Sequence, residues 1–128
     1  MGQRQIQAGT GWRLGWDGNA PLYKALLAGS DWAIELTAEE FQDFCRLVHQ
    51  LATNMAAMAT ELMAEERITC EAESESLWME VEGFPDSFSL RFIVQSGRRC
   101  EGMWSAEATR DLLAANCFDQ NDAAEVVG

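Results

Sequence analysis

The chain has 128 residues, of which 48% are hydrophobic and 23% charged, a balance that fits one folded domain and excludes a disordered polypeptide. Twenty-one Asp and Glu against nine Lys and Arg leave a net charge of −12, which argues against a protein that grips nucleic-acid phosphates with clustered cations. No run of about 18 apolar residues is present, so no membrane-spanning segment is expected, and Met1-Gly2-Gln3-Arg4-Gln5 leads into no signal-peptide core.

Residues 1–10 are polar and contain glycine, and are expected to be a loose N-terminus. Trp12, Leu14 and Trp16 then alternate with Arg13 and Gly15, the period of a half-buried strand. The turn cluster Asp17-Gly18-Asn19-Ala20-Pro21 precedes a second short strand from Leu22 to Leu27, and Gly29-Ser30-Asp31 turns the chain again. Trp32, Ile34 and Leu36 share one face of a third strand. The spacing predicts an antiparallel meander.

Thr37-Ala38-Glu39-Glu40 reads as a capping box, the Thr hydroxyl accepting the N3 amide and Glu40 reaching back to the cap. Phe41, Phe44, Val48, Leu51, Met55, Met58 and Leu62 then step by three and four, which predicts one long helix over residues 38–63. Its second half, Leu51 to Met63, is apolar on almost every side. Such a helix belongs between two layers or in an oligomer interface, so a homodimer through the long helix is an expectation.

Alternation returns at Ile68, Cys70 and Ala72, then at Leu77, Met79 and Val81, with a hairpin loop at Gly83-Phe84-Pro85-Asp86. Phe88, Leu90, Phe92 and Val94 form the inward side of a third strand here, and Arg98 to Trp104 a fourth. Ser105 is a candidate N-cap for a second helix carrying Leu112, Leu113 and Cys117. Residues 119–128 form an acidic tail, read as flexible. Thr37-Ala38-Glu39 and Ser105-Ala106-Glu107 each follow a strand, which suggests a strands-then-helix unit used twice.

Cys45, Cys70, Cys100 and Cys117 are widely spaced and only one His, His49, is present. That pattern lacks the short ligand spacing of a zinc site. Reduced, mostly buried thiols in the cytoplasm are the expectation.

Several segments resemble a known family. Gly11-Trp12-Arg13-Leu14-Gly15-Trp16-Asp17, Asp31-Trp32-Ala33-Ile34-Glu35-Leu36-Thr37, Glu61 through Gly83, and Arg98-Arg99-Cys100-Glu101-Gly102-Met103-Trp104 are similar to a cyanobacterial and plastid family catalogued as domain-of-unknown-function family 1818. The resemblance implies a fold like that of Whirly-type single-stranded-DNA-binding transcriptional regulators, with a cystatin-like arrangement, one long helix cradled by a curved sheet, as the alternative. It implies no activity and no cofactor. The Whirly signature Lys-Gly-Lys-Ala-Ala-Leu corresponds here to Leu22-Tyr23-Lys24-Ala25-Leu26-Leu27, which keeps Lys24, Ala25 and Leu27 but not the first Lys or the Gly.

The acidity is concentrated. Residues 61–82 hold eight Glu and one Arg, and strand alternation puts Glu71, Glu73, Trp78, Glu80 and Glu82 on the face away from the core. That face is the candidate docking surface for a protein partner, with Trp78 as anchor; the plain alternative is a solvated face, with Arg91, Arg98 and Arg99 offsetting part of its charge. Trp12, Trp16 and Trp32 sit on the apolar sides of their strands, which favours core packing over base stacking. Arg13 and Lys24 are the candidate nucleic-acid patch of the alternative reading, which the net charge disfavours. Cys45 and His49 stand at i, i+4 without an orienting partner, and no phosphate loop, catalytic triad or calcium loop appears. The expectation is therefore a single α+β domain over residues 11–118, antiparallel sheets wrapped around one long helix. It is read as a non-enzymatic binding or adaptor protein of photosynthetic organisms, with no catalytic residue, cofactor or metal.

Overall fold

The computed structural model describes residues 4–60 and 65–115. The acidic tail 119–128, Cys117 and helix positions 61–63 lie outside the described residues. Within them, β1 (Arg4–Gly9), β2 (Trp12–Asp17), β3 (Ala25–Ala28) and β4 (Ala33–Leu36) lead into α1 (Ala38–Thr60). A second set, β5 (Ile68–Glu73), β6 (Leu77–Phe84), β7 (Ser87–Val94) and β8 (Glu101–Trp104), leads into α2 (Ala106–Ala114). Each set of strands forms an antiparallel meander in sequence order, sheet A from β1–β4 and sheet B from β5–β8. The strands-then-helix unit is thus used twice in an α+β chain.

Local chemistry sets the junctions. Thr37 N donates to Glu40 Oε1 at 2.9 Å, and Glu40 N donates to Thr37 Oγ1 at 3.2 Å, the reciprocal pair of a capping box. Ser105 caps α2 by accepting from Ala108 N at 3.2 Å. Gly97 (φ 91°) and Arg99 (φ 51°) turn the chain sharply between β7 and β8, so β8 begins at Glu101 rather than at Arg98.

The core lies between the two sheets. Trp12, Leu14 and Trp16 of β2 point inward, as do Leu77, Met79 and Val81 of β6 and Leu90, Phe92 and Val94 of β7. The first turns of α1 meet both layers: the Phe41 ring lies 5.8 Å from Trp16, and Phe44 lies 5.9 Å from Phe92 and 5.8 Å from Trp104. Each large apolar side chain so buried contributes about 1.5–3 kcal/mol. α2 packs on β7 and against β1 and β2.

Three further expectations change. Residues 1–10 are not all loose, because Arg4–Gly9 pairs with β2 in continuous register from Arg4↔Asp17 to Gly9↔Trp12. An edge strand needs no strong apolar alternation, and Gln5 and Gln7 hide its period. The second strand starts at Ala25, and Leu22 lies exposed in the preceding loop. Between the layers of the single chain, α1 after Leu51 is not buried on every side: Leu51 and Met55 are buried and Met58 half-buried, but Thr53, Asn54, Ala56, Ala57 and Ala59 are exposed. Alanine is apolar yet small and the best helix former, so a run of it tolerates solvent.

Side chains fasten the two halves together. Trp32 Nε1 donates to Met103 O at 3.2 Å, and Trp104 Nε1 donates to Ala28 O at 2.9 Å. Glu40, 6% exposed, holds the third link: its carboxylate accepts from Arg98 Nη2 at 2.5 Å and from the Ser96 hydroxyl. Arg98 also donates to Glu35 O and stacks over Tyr23 at 4.8 Å.

Candidate functional site

Strand alternation gives sheet B two unlike faces. The inner one is core. The outer one carries Thr69, Glu71 and Glu73 of β5, Trp78, Glu80 and Glu82 of β6, Ser89, Arg91 and Ile93 of β7, and Glu101 and Met103 of β8. Register arranges these into rows. Glu71, Glu80, Arg91 and Met103 form one row, and Glu73, Trp78, Ile93 and Glu101 the row beside it. The structure thus brings together all five residues singled out as the candidate partner face.

Glu71 and Glu80 stand directly opposite each other, a like-charge pair that opposes strand pairing. Two neighbours answer that repulsion. Arg91 Nη2 donates to Glu80 Oε1 at 3.4 Å, and Trp78 Nε1 donates to Glu71 Oε1 at 3.2 Å. The Arg91 guanidinium lies 4.8 Å from the centre of the Trp78 ring, a cation–π contact. At the margins Arg67 pairs with Glu82 at 3.4 Å and Gln95 donates to Glu73 at 3.3 Å. Trp78 is therefore half-buried and held by Glu71 and Arg91 rather than projecting freely.

Beside it Trp78, Arg91, Ile93, Val94, Gln95 and Arg99 line an open hollow of about 440 Å³. Ile93 adjoins Trp78, and Met103, 56% exposed, extends the apolar strip past Arg91. The centre of the face is thus aromatic and apolar, crossed by one guanidinium and bordered by carboxylates. Ile93 and Met103 were absent from the sequence-based site, although outward-facing apolar residues on an otherwise acidic face were a signal for them. Arg98 does not join this surface, since Glu40 holds it at the other end of the β7–β8 loop.

The alternative patch is not assembled in this way. Arg13 is exposed on β2 opposite Ala8 and Ala28, whereas Lys24 adjoins Asp17 at the far end of that strand. Four strand residues separate the two ends by about 13 Å. The Lys24 ammonium donates to Gly18 O at 3.0 Å and Ala20 O at 2.6 Å, so it closes the 17–21 turn. Trp12 and Trp16 are each 6% exposed, their indole N–H groups buried without a hydrogen-bond partner among the described residues; neither offers a ring face for base stacking.

Cys45 is a buried thiol while His49, one turn on, is exposed. Among the described residues no group of three or more His, Cys, Asp or Glu side chains could hold a metal ion. None of their helices is long and apolar enough to cross a membrane.

Comparison with known proteins adds a family and a fold. The family described as "Domain of unknown function (DUF1818)" matches residues 7–118. The structure is similar to the crystal structure of a protein of unknown function from Prochlorococcus sp. NATL2A, described as belonging to the DUF155 family. The TM-score is 0.82 and the identity 27%, over 89% of this chain and 96% of that one. No curated protein matches.

Proposed function

This chain belongs to the DUF1818 family, and from that premise we propose that it is a non-enzymatic adaptor whose acidic outer face of sheet B docks a protein partner. The observation that carries the reading is the strip of Trp78, Ile93 and Met103, bordered by Glu71, Glu73, Glu80, Glu82 and Glu101 on a rigid antiparallel sheet. An apolar centre with a charged rim is the anatomy of a protein-binding surface, and a tryptophan at its centre is a typical hot spot. The rim fixes the partner's chemistry. It presents Lys or Arg around an apolar contact, and association is faster at low salt.

The cytoplasm is the proposed setting, and Cys70 and Cys100, both free thiols, fit a reducing compartment. The nucleic-acid reading draws less support, since Lys24 closes a turn and Arg13 lies at the other end of β2, about 13 Å away.

The test is a pull-down with the wild-type chain and with a Trp78→Ala, Glu80→Lys double variant whose circular dichroism is unchanged. A basic protein retained by the wild type, released by salt and lost with the variant supports the reading. Identical sets of retained proteins refute it.

A further inference from the structure

An edge strand exposes a row of unpaired backbone N–H and C=O groups, and folded chains protect such rows with charge, proline, bulges or covering side chains. Sheet A ends on β1 and β4, and sheet B on β5 and β8. β4 and β8 are covered from the opposite half of the molecule: Arg98 donates to Glu35 O on β4, and Trp32 Nε1 donates to Met103 O on β8. β5 carries Glu71 and Glu73 and follows Glu65 and Glu66. Among the described residues β1 has fewer of these devices: a single charge, Arg4, at its start, and α2 packing against it near Gly9, where Asp111 lies. The strand runs six residues, Arg-Gln-Ile-Gln-Ala-Gly, in unbroken register with β2, contains no proline or carboxylate, and leaves Ile6 59% exposed.

We propose that β1 is the seam of a homodimer, in which two copies pair β1 with β1 antiparallel about a two-fold axis at Ile6, making one sheet continuous across both subunits. The strand is self-complementary in that register. Ile6 meets the partner's Ile6, Gln5 meets the partner's Gln7, and Arg4 meets the partner's Ala8. The two Arg4 side chains stay four residues apart along the seam, about 13 Å, beyond the screening length of about 10 Å at 0.1 M salt.

Charge selects this edge for a second copy. With −12 on each chain, two copies meeting through β5 would bring Glu71 and Glu73 of each together, whereas β1 itself holds Arg4 and no Asp or Glu, its nearest carboxylates being Asp17 opposite Arg4 and Asp111 beside Gly9.

The outer face of sheet A adds an apolar reason. Ile6, Gly15 and Leu26 form one cross-strand row. Because Gly15 has no side chain, the row carries an open hollow of about 210 Å³, lined also by Arg4, Lys24 and Glu35. On one subunit the row ends at an exposed isoleucine. Across the seam it continues through the partner's Ile6, which covers that isoleucine. This surface is separate from the acidic face of sheet B, and the proposal does not rest on that face.

Sedimentation velocity and hydrogen exchange test it together. The wild type sediments as a dimer in the micromolar range, and its β1 amides exchange more slowly as concentration rises while those of β5 do not change. Ile6→Asp, which sets two carboxylates face to face at the axis, halves the mass without altering the circular dichroism; Ile6→Val stays dimeric. A wild type that is monomeric throughout, an Ile6→Asp variant that remains dimeric, or β1 exchange indifferent to concentration overturns the proposal. The exchange arm uses the unmodified chain, so a variant that fails to fold cannot rescue the idea.

Discussion

Glu40 and Arg98, 58 positions apart, share an ion pair in which the carboxylate side chain is 8% exposed and the guanidinium 30%. The same carboxylate completes the capping box of α1 and accepts the Ser96 hydroxyl. One side chain thus starts the long helix and fastens the β7–β8 loop of the second half to it. Removing the cation strands a buried charge, which is more damaging than never having placed the pair. Arg98→Ala is expected to lower stability by about 1.5–3 kcal/mol, the scale of a hydrogen bond to a charged group, read as a fall in the chemical-denaturation midpoint. Adding Glu40→Gln recovers part of that loss, since glutamine still caps the helix and carries no charge. Equal stability of the wild type and Arg98→Ala would remove this link from the account.

Trp32 and Gly102 make a second cross-half contact, this one steric. A Cβ on Gly102 would sit 2.5 Å from Trp32 Cη2 and 2.8 Å from Phe92 Cε1. The indole cannot swing clear, because it packs 5.1 Å from the Trp104 ring and its N–H is fixed on Met103 O. Gly102→Ala is therefore expected to cost about 1–3 kcal/mol through overpacking and to alter the near-ultraviolet circular dichroism of the tryptophans. The change at Gly97, where no atom lies within 4 Å, meets no such wall; its strain comes from the positive φ of 91° alone.

The acidic face yields a salt-dependent expectation. Arg91→Ala leaves Glu71 and Glu80 opposed, with only the Trp78 N–H to offset them. The loss is about 0.5–1 kcal/mol at low ionic strength and shrinks in 1 M salt, where the Debye length falls to about 3 Å. Thermal melts at two salt concentrations check it. A loss independent of salt would mean that Arg91 acts through packing on Trp78 rather than through charge.

Much of this arrangement was legible in the chain because its signals are local. Thr37 and Glu40 lie three residues apart, and their types announce a capping box before any tertiary contact exists. Sheet B was readable because each strand buries one face against α1 or α2, so Leu77, Met79 and Val81 alternate cleanly with Trp78, Glu80 and Glu82. β1 was not, because an outermost strand is held chiefly by backbone hydrogen bonds, which leave no mark on Arg4-Gln5-Ile6-Gln7. The alanines of α1 that lie exposed on the single chain count as apolar in the sequence, since hydropathy ignores size.

For the candidate face, the five residues named from alternation do share one surface. What the chain did not disclose were the contacts that need the third dimension. These are the stacking of Arg91 on Trp78, the strip completed by Ile93 and Met103, and the diversion of Arg98 to Glu40, 58 positions away. The turn-closing role of Lys24 was nearer to hand, since its acceptors Gly18 and Ala20 lie within six residues.

The central claim is that the outer face of sheet B holds a protein partner, and a photo-crosslinking residue at position 103 tests it most directly. Met103 is 56% exposed beside Arg91 on that face, and Leu22, equally exposed in the β2–β3 loop, is the control position. The account predicts that a probe at 103, incubated with lysate of the source organism, joins one basic protein. The adduct disappears with Trp78→Ala and Glu80→Lys, and no adduct with that protein forms from position 22. Equal labelling from both positions, or an adduct at 103 that survives the double substitution, would contradict it.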